Sequence, residues 1–127
     1  MILGIGTDIV QIERIKNACQ KKEFLQKIYT PAELQKATAL GQERKWQFLA
    51  NRYAGKEAFA KAVGTGIGAD LSWQDIEILN NEKGAPVCTL SKKAQAFLST
   101  LFKSDSIRIH ISLSDDVFAI ANVILEK

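Results

Sequence analysis

The stretch from Gln42 to Val63 constrains the fold most. It is rich in Ala, Lys, Glu, Leu and aromatic residues, holds no proline, and is followed at once by Gly64. These are strong helix formers, so the stretch predicts one long helix that carries Gly55 at a cost of about 1 kcal/mol. Gly64 suits the left-handed residue on which helices commonly end. A chain of 127 residues is long enough to bury a core around such a helix without disulfides or structural metal. One domain spanning residues 1–127 is therefore expected.

Strand periodicity fills most of the remainder. Leu3, Ile5, Thr7 and Ile9 alternate with Ile2, Gly4, Gly6, Asp8 and Val10, the period-two pattern of a strand. Near the other end, Ile107, Ile109, Ile111 and Leu113 face one way and Arg108, His110, Ser112 and Ser114 the other; Asp115-Asp116 makes a turn and Val117 to Leu125 returns as a hairpin partner. A second extended pair, Asp75 to Leu79 and Pro86 to Leu90, flanks the turn residues Asn80 to Gly84. Shorter helices are expected from Ile12 to Cys19, around Phe24 to Ile28, from Thr30-Pro31 to about Leu40 with Glu33 completing a capping box, and from Ser91 to about Phe102. The architecture expected is α+β, with a small, mainly antiparallel sheet packed against one long helix.

Composition narrows the function class. The chain is 46% hydrophobic and 24% charged, which suits a folded soluble protein. No run approaches the ~20 apolar residues needed to cross a bilayer, and Met1 to Val10 has neither the basic leader nor the cleavage pattern of a signal peptide. Cys19 and Cys88 match no metal-ligand or redox spacing. A cytoplasmic protein with two reduced thiols is expected. Net charge is +3, concentrated in residues 11–45, which hold eight basic and four acidic side chains. Such a front favours an anionic partner. No interleaving of basic and aromatic residues marks a nucleic-acid module, so no nucleic acid is expected.

Several residues are candidates for chemistry. A carboxylate on an apolar strand, Asp8, needs a cation or donors if it is buried, though helix capping or a surface ion pair explains it equally. Glu57 and Lys61 lie one turn apart on the long helix, on a stripe with Ala50, Tyr53 and Ala54. They can hold a divalent cation and its phosphate, or form an exposed ion pair; Arg52 and Lys56 pose the same choice. The run Gly64 to Gly68 lacks the pattern of a dinucleotide loop or P-loop, so it reads as a helix cap, or as a loop whose amides hold a phosphate. His110 is the single histidine, and nothing beside it supplies a nucleophilic triad.

Four stretches together resemble the holo-acyl-carrier-protein synthase family, of the small 4'-phosphopantetheinyl transferase fold. They are Gly4-Ile5-Gly6-Thr7-Asp8-Ile9-Val10; Arg52 to Ala62; Asn81-Glu82-Lys83-Gly84-Ala85-Pro86; and His110-Ile111-Ser112-Leu113-Ser114 with Ala119 to Glu126. The resemblance spans nearly the entire chain. It implies transfer of 4'-phosphopantetheine from coenzyme A to a serine of an acidic acyl carrier protein, releasing adenosine 3',5'-bisphosphate, in fatty acid biosynthesis. It further implies Mg2+ held by Asp8 and Glu57, with Lys61 neutralising phosphate charge. Arg52, Gly64, Thr65, Gly66, Lys83, Gly84, Pro86 and His110 would line the coenzyme A site. Arg14, with Lys16, Lys21 and Lys22, would dock the carrier protein. A homotrimer with active sites at subunit interfaces is also implied. Asp115 departs from the pattern, which has a second histidine there.

Overall fold

The computed structural model describes all residues from Met1 to Lys127. In chain order the elements are β1 (Ile2–Gln11), α1 (Ile12–Ala18), α2 (Lys22–Ile28), α3 (Pro31–Thr38), α4 (Gln42–Val63), a single 3-10 turn (Trp73–Asp75), β2 (Ile76–Asn80), β3 (Pro86–Leu90), α5 (Lys92–Phe102), β4 (Arg108–Asp115) and β5 (Phe118–Glu126). The α+β class is as expected, but the strands form two antiparallel sheets, β1-β5-β4 and β2-β3, where a single sheet was expected. The division follows from chain order: β2 and β3 close on each other through a short turn, and α5 then carries the chain away before β4 begins.

Close approach between α4 and β1 organises the core. Ala50, Ala54, Ala58 and Ala62 recur every fourth residue and are all buried, so they form a ridge of small side chains along one line of the helix. Gly4 and Gly6 of β1 receive that ridge. A Cβ on Gly6 would lie 1.9 Å from the Ala58 carbonyl oxygen, and one on Gly4 would lie 1.9 Å from that of Ala62. The space freed by the strand glycines is thus taken by helix backbone. Strand β5 lies central in its sheet and buries Ala119, Ala121, Val123 and Leu125 against α4. On its far side α4 meets α3 and β2, and so from Leu49 to Val63 it is buried on most faces instead of along one stripe.

A buried ion pair fastens the far side. Lys56 Nζ lies 2.7 Å from Glu33 Oε1, and both side chains are fully buried. Lys56 also donates to the carbonyls of Ile28 and Trp73, while Glu33 accepts the amides of Thr30 and Ile78. Every member has hydrogen-bond partners, the condition under which buried charge is tolerated. Burial lowers the Lys56 pKa and the Glu33 carboxylate opposes that shift. Helix α3 ends at Thr38, short of the expected Leu40. There the amides of Ala39 and Leu40 turn to i−3 carbonyls, and Gly41 becomes the N-cap of α4.

Both thiols are free; burial pushes Cys19 up to about 11 and Cys88 up to about 12. Neither is a nucleophile at neutral pH. No helix is long and apolar enough to cross a membrane.

Candidate active site

The glycine-alanine packing that builds the core also aligns Asp8 with the last turns of α4. Asp8 stands opposite Ala121 in the β1-β5 register, on the same strand face as Gly4 and Gly6. Two residues beyond Gly6, it reaches Lys61 of α4, whose Nζ lies 3.0 Å from Asp8 Oδ1 and 3.0 Å from the Thr7 carbonyl. The Asp8 side chain is largely covered and that of Lys61 half-exposed. Glu57, one turn earlier on α4, is half-buried. Its pKa is raised, first by burial and next by the Asp8 carboxylate, with Lys61 pulling it down. Residues 53 positions apart in sequence therefore form one cluster of two carboxylates and one ammonium.

This donor set suits a hard divalent cation. Mg2+ is usually bound through one or two carboxylates plus substrate phosphates, rather than by an all-protein cage. The chain has no group of three or more potential metal-ligating side chains, and two carboxylates whose like charges oppose each other are what such a cation relieves. Tyr53, a further turn back on α4, borders the same cluster: its pKa is raised by burial and then by Glu57, and lowered by Arg14. Its ring stacks on Trp73 at 5.2 Å and on Phe24 at 6.2 Å. The sequence gives Tyr53 no chemical role, but its place on the stripe of Glu57 and Lys61 is the signal for this position.

The remaining candidates lie in four other places. Arg52 is buried under Phe48, with its guanidinium 3.8 Å from the ring centroid, and donates to the Ile78 carbonyl and Asn80 Oδ1. Burial brings its pKa down to about 10, which leaves it charged at neutral pH. Asn80 pairs with Pro86 at the turn end of the β2-β3 hairpin, so Arg52 and Pro86 are neighbours through Asn80. Lys83 and Gly84 form the hairpin turn, in which Asn81 Oδ1 accepts the amides of Lys83 and Ala85 and Gly84 takes a positive φ.

After α4, Gly64 and Gly66 both take positive φ and both amides bond to the Ala60 carbonyl. Those amides are committed to closing the helix, and Thr65 supplies the one left without a backbone partner. His110 lies on the outer face of the three-stranded sheet, 2.9 Å from Glu126 Oε1, which also pairs with Arg108. Its partner belongs to neither cluster. Arg14, Lys21 and Lys22 are exposed around α1 and α2, and Lys16 is half-buried in a shallow cavity with Glu13, Glu43 and Trp46.

Comparison with known proteins matches residues 4–121 to the 4'-phosphopantetheinyl transferase superfamily. The chain is 48% identical over 128 residues to a holo-[acyl-carrier-protein] synthase of Streptococcus thermophilus strain LMD-9, covering 100% of this chain and 98% of that one. Among solved structures, it is similar to holo-[acyl-carrier-protein] synthase from Neisseria meningitidis (TM-score 0.89, 38% identity, 100% of both chains). It is also similar to a Bacillus anthracis holo-(acyl-carrier-protein) synthase in complex with CoA (3',5'-ADP), with TM-score 0.83, 37% identity, and 98% and 96% of the two chains covered.

Proposed function

The chain belongs to the 4'-phosphopantetheinyl transferase superfamily, and from that membership we infer that it is a holo-acyl-carrier-protein synthase, transferring 4'-phosphopantetheine from coenzyme A to a serine of apo-acyl carrier protein. The observation that carries the site assignment is the convergence of Asp8, Glu57 and Lys61. In the reaction the serine oxygen attacks the phosphorus that bears the pantetheine arm. The P–O bond to the adenosine-side phosphate breaks, and adenosine 3',5'-bisphosphate leaves with the negative charge.

Asp8 and Glu57 would hold Mg2+, which when bound offers the pyrophosphate a concentrated positive charge. The chain's own contribution is positional and electrostatic. Lys61 is fixed by Asp8 and the Thr7 carbonyl, and its ammonium is half-exposed toward an incoming phosphate. Asp8 or Glu57 would take the serine proton, directly or through a water. Arg52, Thr65, Lys83, Pro86 and His110 are assigned to the nucleotide. Gly64, Gly66 and Gly84 shape the two turns that present it. Arg14, Lys21 and Lys22, with Lys16 beside them, form the basic front for an acidic carrier protein.

The cytoplasm is the compartment that fits two unpaired thiols. A homotrimer is supported by the outer face of the three-stranded sheet, where Ile5 is 68% and Ile9 58% exposed beside Phe118 and Ile120. An apolar face of this kind on a small chain marks an interface, and burying it would carry His110 from one subunit toward a neighbour's site.

The test is mass spectrometry of an apo carrier protein incubated with this protein, coenzyme A and Mg2+. One added phosphopantetheine arm is expected, with loss of transfer by at least about 100-fold in Asp8→Ala and Glu57→Ala and after chelation. Undiminished transfer by both variants would overturn the site assignment; no transfer by the unaltered protein would overturn the function.

A further inference from the structure

A cavity of about 320 Å³ opens between α3, α4 and the end of β4, lined among others by Lys36, Arg44, Arg52, Asn51 and Asp115. Three cations and one carboxylate share its wall. Electrostatics alone would draw Asp115 onto a guanidinium, yet it makes no ion pair with any of the three. It accepts instead from Asn51 Nδ2 at 2.8 Å. An ionised carboxylate only accepts hydrogen bonds, so Asn51 must turn its NH2 toward Asp115. Its Oδ1 is left buried without a partner, an arrangement that costs free energy. The neutral amide thus holds the carboxylate at the rim, away from cations that stay available. Arg52 has two of its N–H groups committed to protein acceptors, and a guanidinium has five, so about three remain for a ligand.

We propose that Asp115, held by Asn51, is a specificity-determining residue that weakens this cavity's grip on a phosphate monoester of the nucleotide. The inference rests on the assignment of Arg52 to the coenzyme A site. With the pyrophosphate at Asp8, Glu57 and Lys61, the remaining anionic group of coenzyme A is its 3'-phosphate. Substrate and released adenosine 3',5'-bisphosphate carry that group alike. Grip on it is uniform binding, which does not accelerate the chemical step and retards departure of the product. A fixed carboxylate beside three cations moderates that grip and leaves the hydrogen-bond donors in place.

Asp115→Asn tests this, since it removes the charge and retains an acceptor for Asn51. Asp116→Asn is the control, identical in charge change but placed outside the cavity. Binding of adenosine 3',5'-bisphosphate and of AMP is measured by calorimetry, together with transfer from coenzyme A and from 3'-dephospho-coenzyme A. In Asp115→Asn the bisphosphate is expected to bind about five- to tenfold tighter and AMP within about twofold of the unaltered protein. The kcat/KM preference for coenzyme A over its dephospho form rises in step, and Asp116→Asn matches the unaltered protein. No tightening, an equal gain for AMP, or the same gain in Asp116→Asn overturns the inference while leaving the enzyme assignment intact. An unaltered protein that binds neither nucleotide overturns both.

Discussion

Asp75 shows how a single carboxylate holds a junction. Its side chain accepts from the Ser72 amide and hydroxyl at 2.9 Å and from the Ser91 hydroxyl at 2.7 Å, and it lies 3.5 Å from Lys93. These contacts join the 3-10 turn before β2 to the N-cap of α5. Burial by itself raises the Asp75 pKa, but the donors and Lys93 outweigh it and hold the group below its ordinary value. A carboxyl depressed in the folded state contributes stability that is present above its unfolded pKa, near 3.8, and is lost as pH falls through the folded value. Asp75→Asn is therefore expected to lose about 1–2 kcal/mol at pH 7. The gap from the unaltered protein should narrow below pH about 3.8, as read from urea midpoints at both pH values. A gap independent of pH would remove the ionised carboxylate from the account.

At the scale of elements, the contact between β1 and α4 matters most, because it sets both the core and the distance from Asp8 to Lys61. Gly6→Ala would place a methyl against the Ala58 carbonyl, a backbone atom that moves only if the helix moves. A loss of about 3 kcal/mol or more is expected, the upper end of overpacking costs. Transfer activity should also fall in whatever protein remains folded, because the carboxylate and the ammonium part. Gly68→Ala, with open space around it and no positive φ, is expected to stay within about 0.5 kcal/mol. Denaturant titration of the two variants checks this; equal stabilities would mean that strand and helix are not in the contact described.

For the molecule as a whole, the proposed assembly rests on the outer sheet face. Ile120 lies opposite Ile9 in register and both are exposed, with Ile5 opposite Ile124 two rungs away. Between them Thr7 donates to Asn122 at 2.8 Å, a polar rung on an apolar face. Ile120→Asp is expected to convert the proposed homotrimer to monomers in sedimentation velocity while the far-ultraviolet circular dichroism is kept. Transfer should fall by at least about tenfold, because the site proposed to be shared across subunits loses its second wall. A variant that stays trimeric would move the interface elsewhere.

Local physics made most elements legible in the chain. Helix α4 was bounded by Gly64 and the absence of proline, α3 began at its capping box, β4 followed strict alternation, and β5 was its return strand across a turn. Those signals depend on neighbours within a few residues, which a sequence displays directly. The roles of Arg52 and Lys56 were not legible, because an exposed Glu-Lys or Arg face and a buried one have the same spacing; only packing against α3 and β2 took them out of water. Asn51 turning Asp115 away from three cations likewise depends on a contact between distant segments. Periodicity determines which residues share a face. What that face meets is decided by the burial of the whole chain around one helix, since the free energy of a charge depends on its surroundings and not on its place in the sequence.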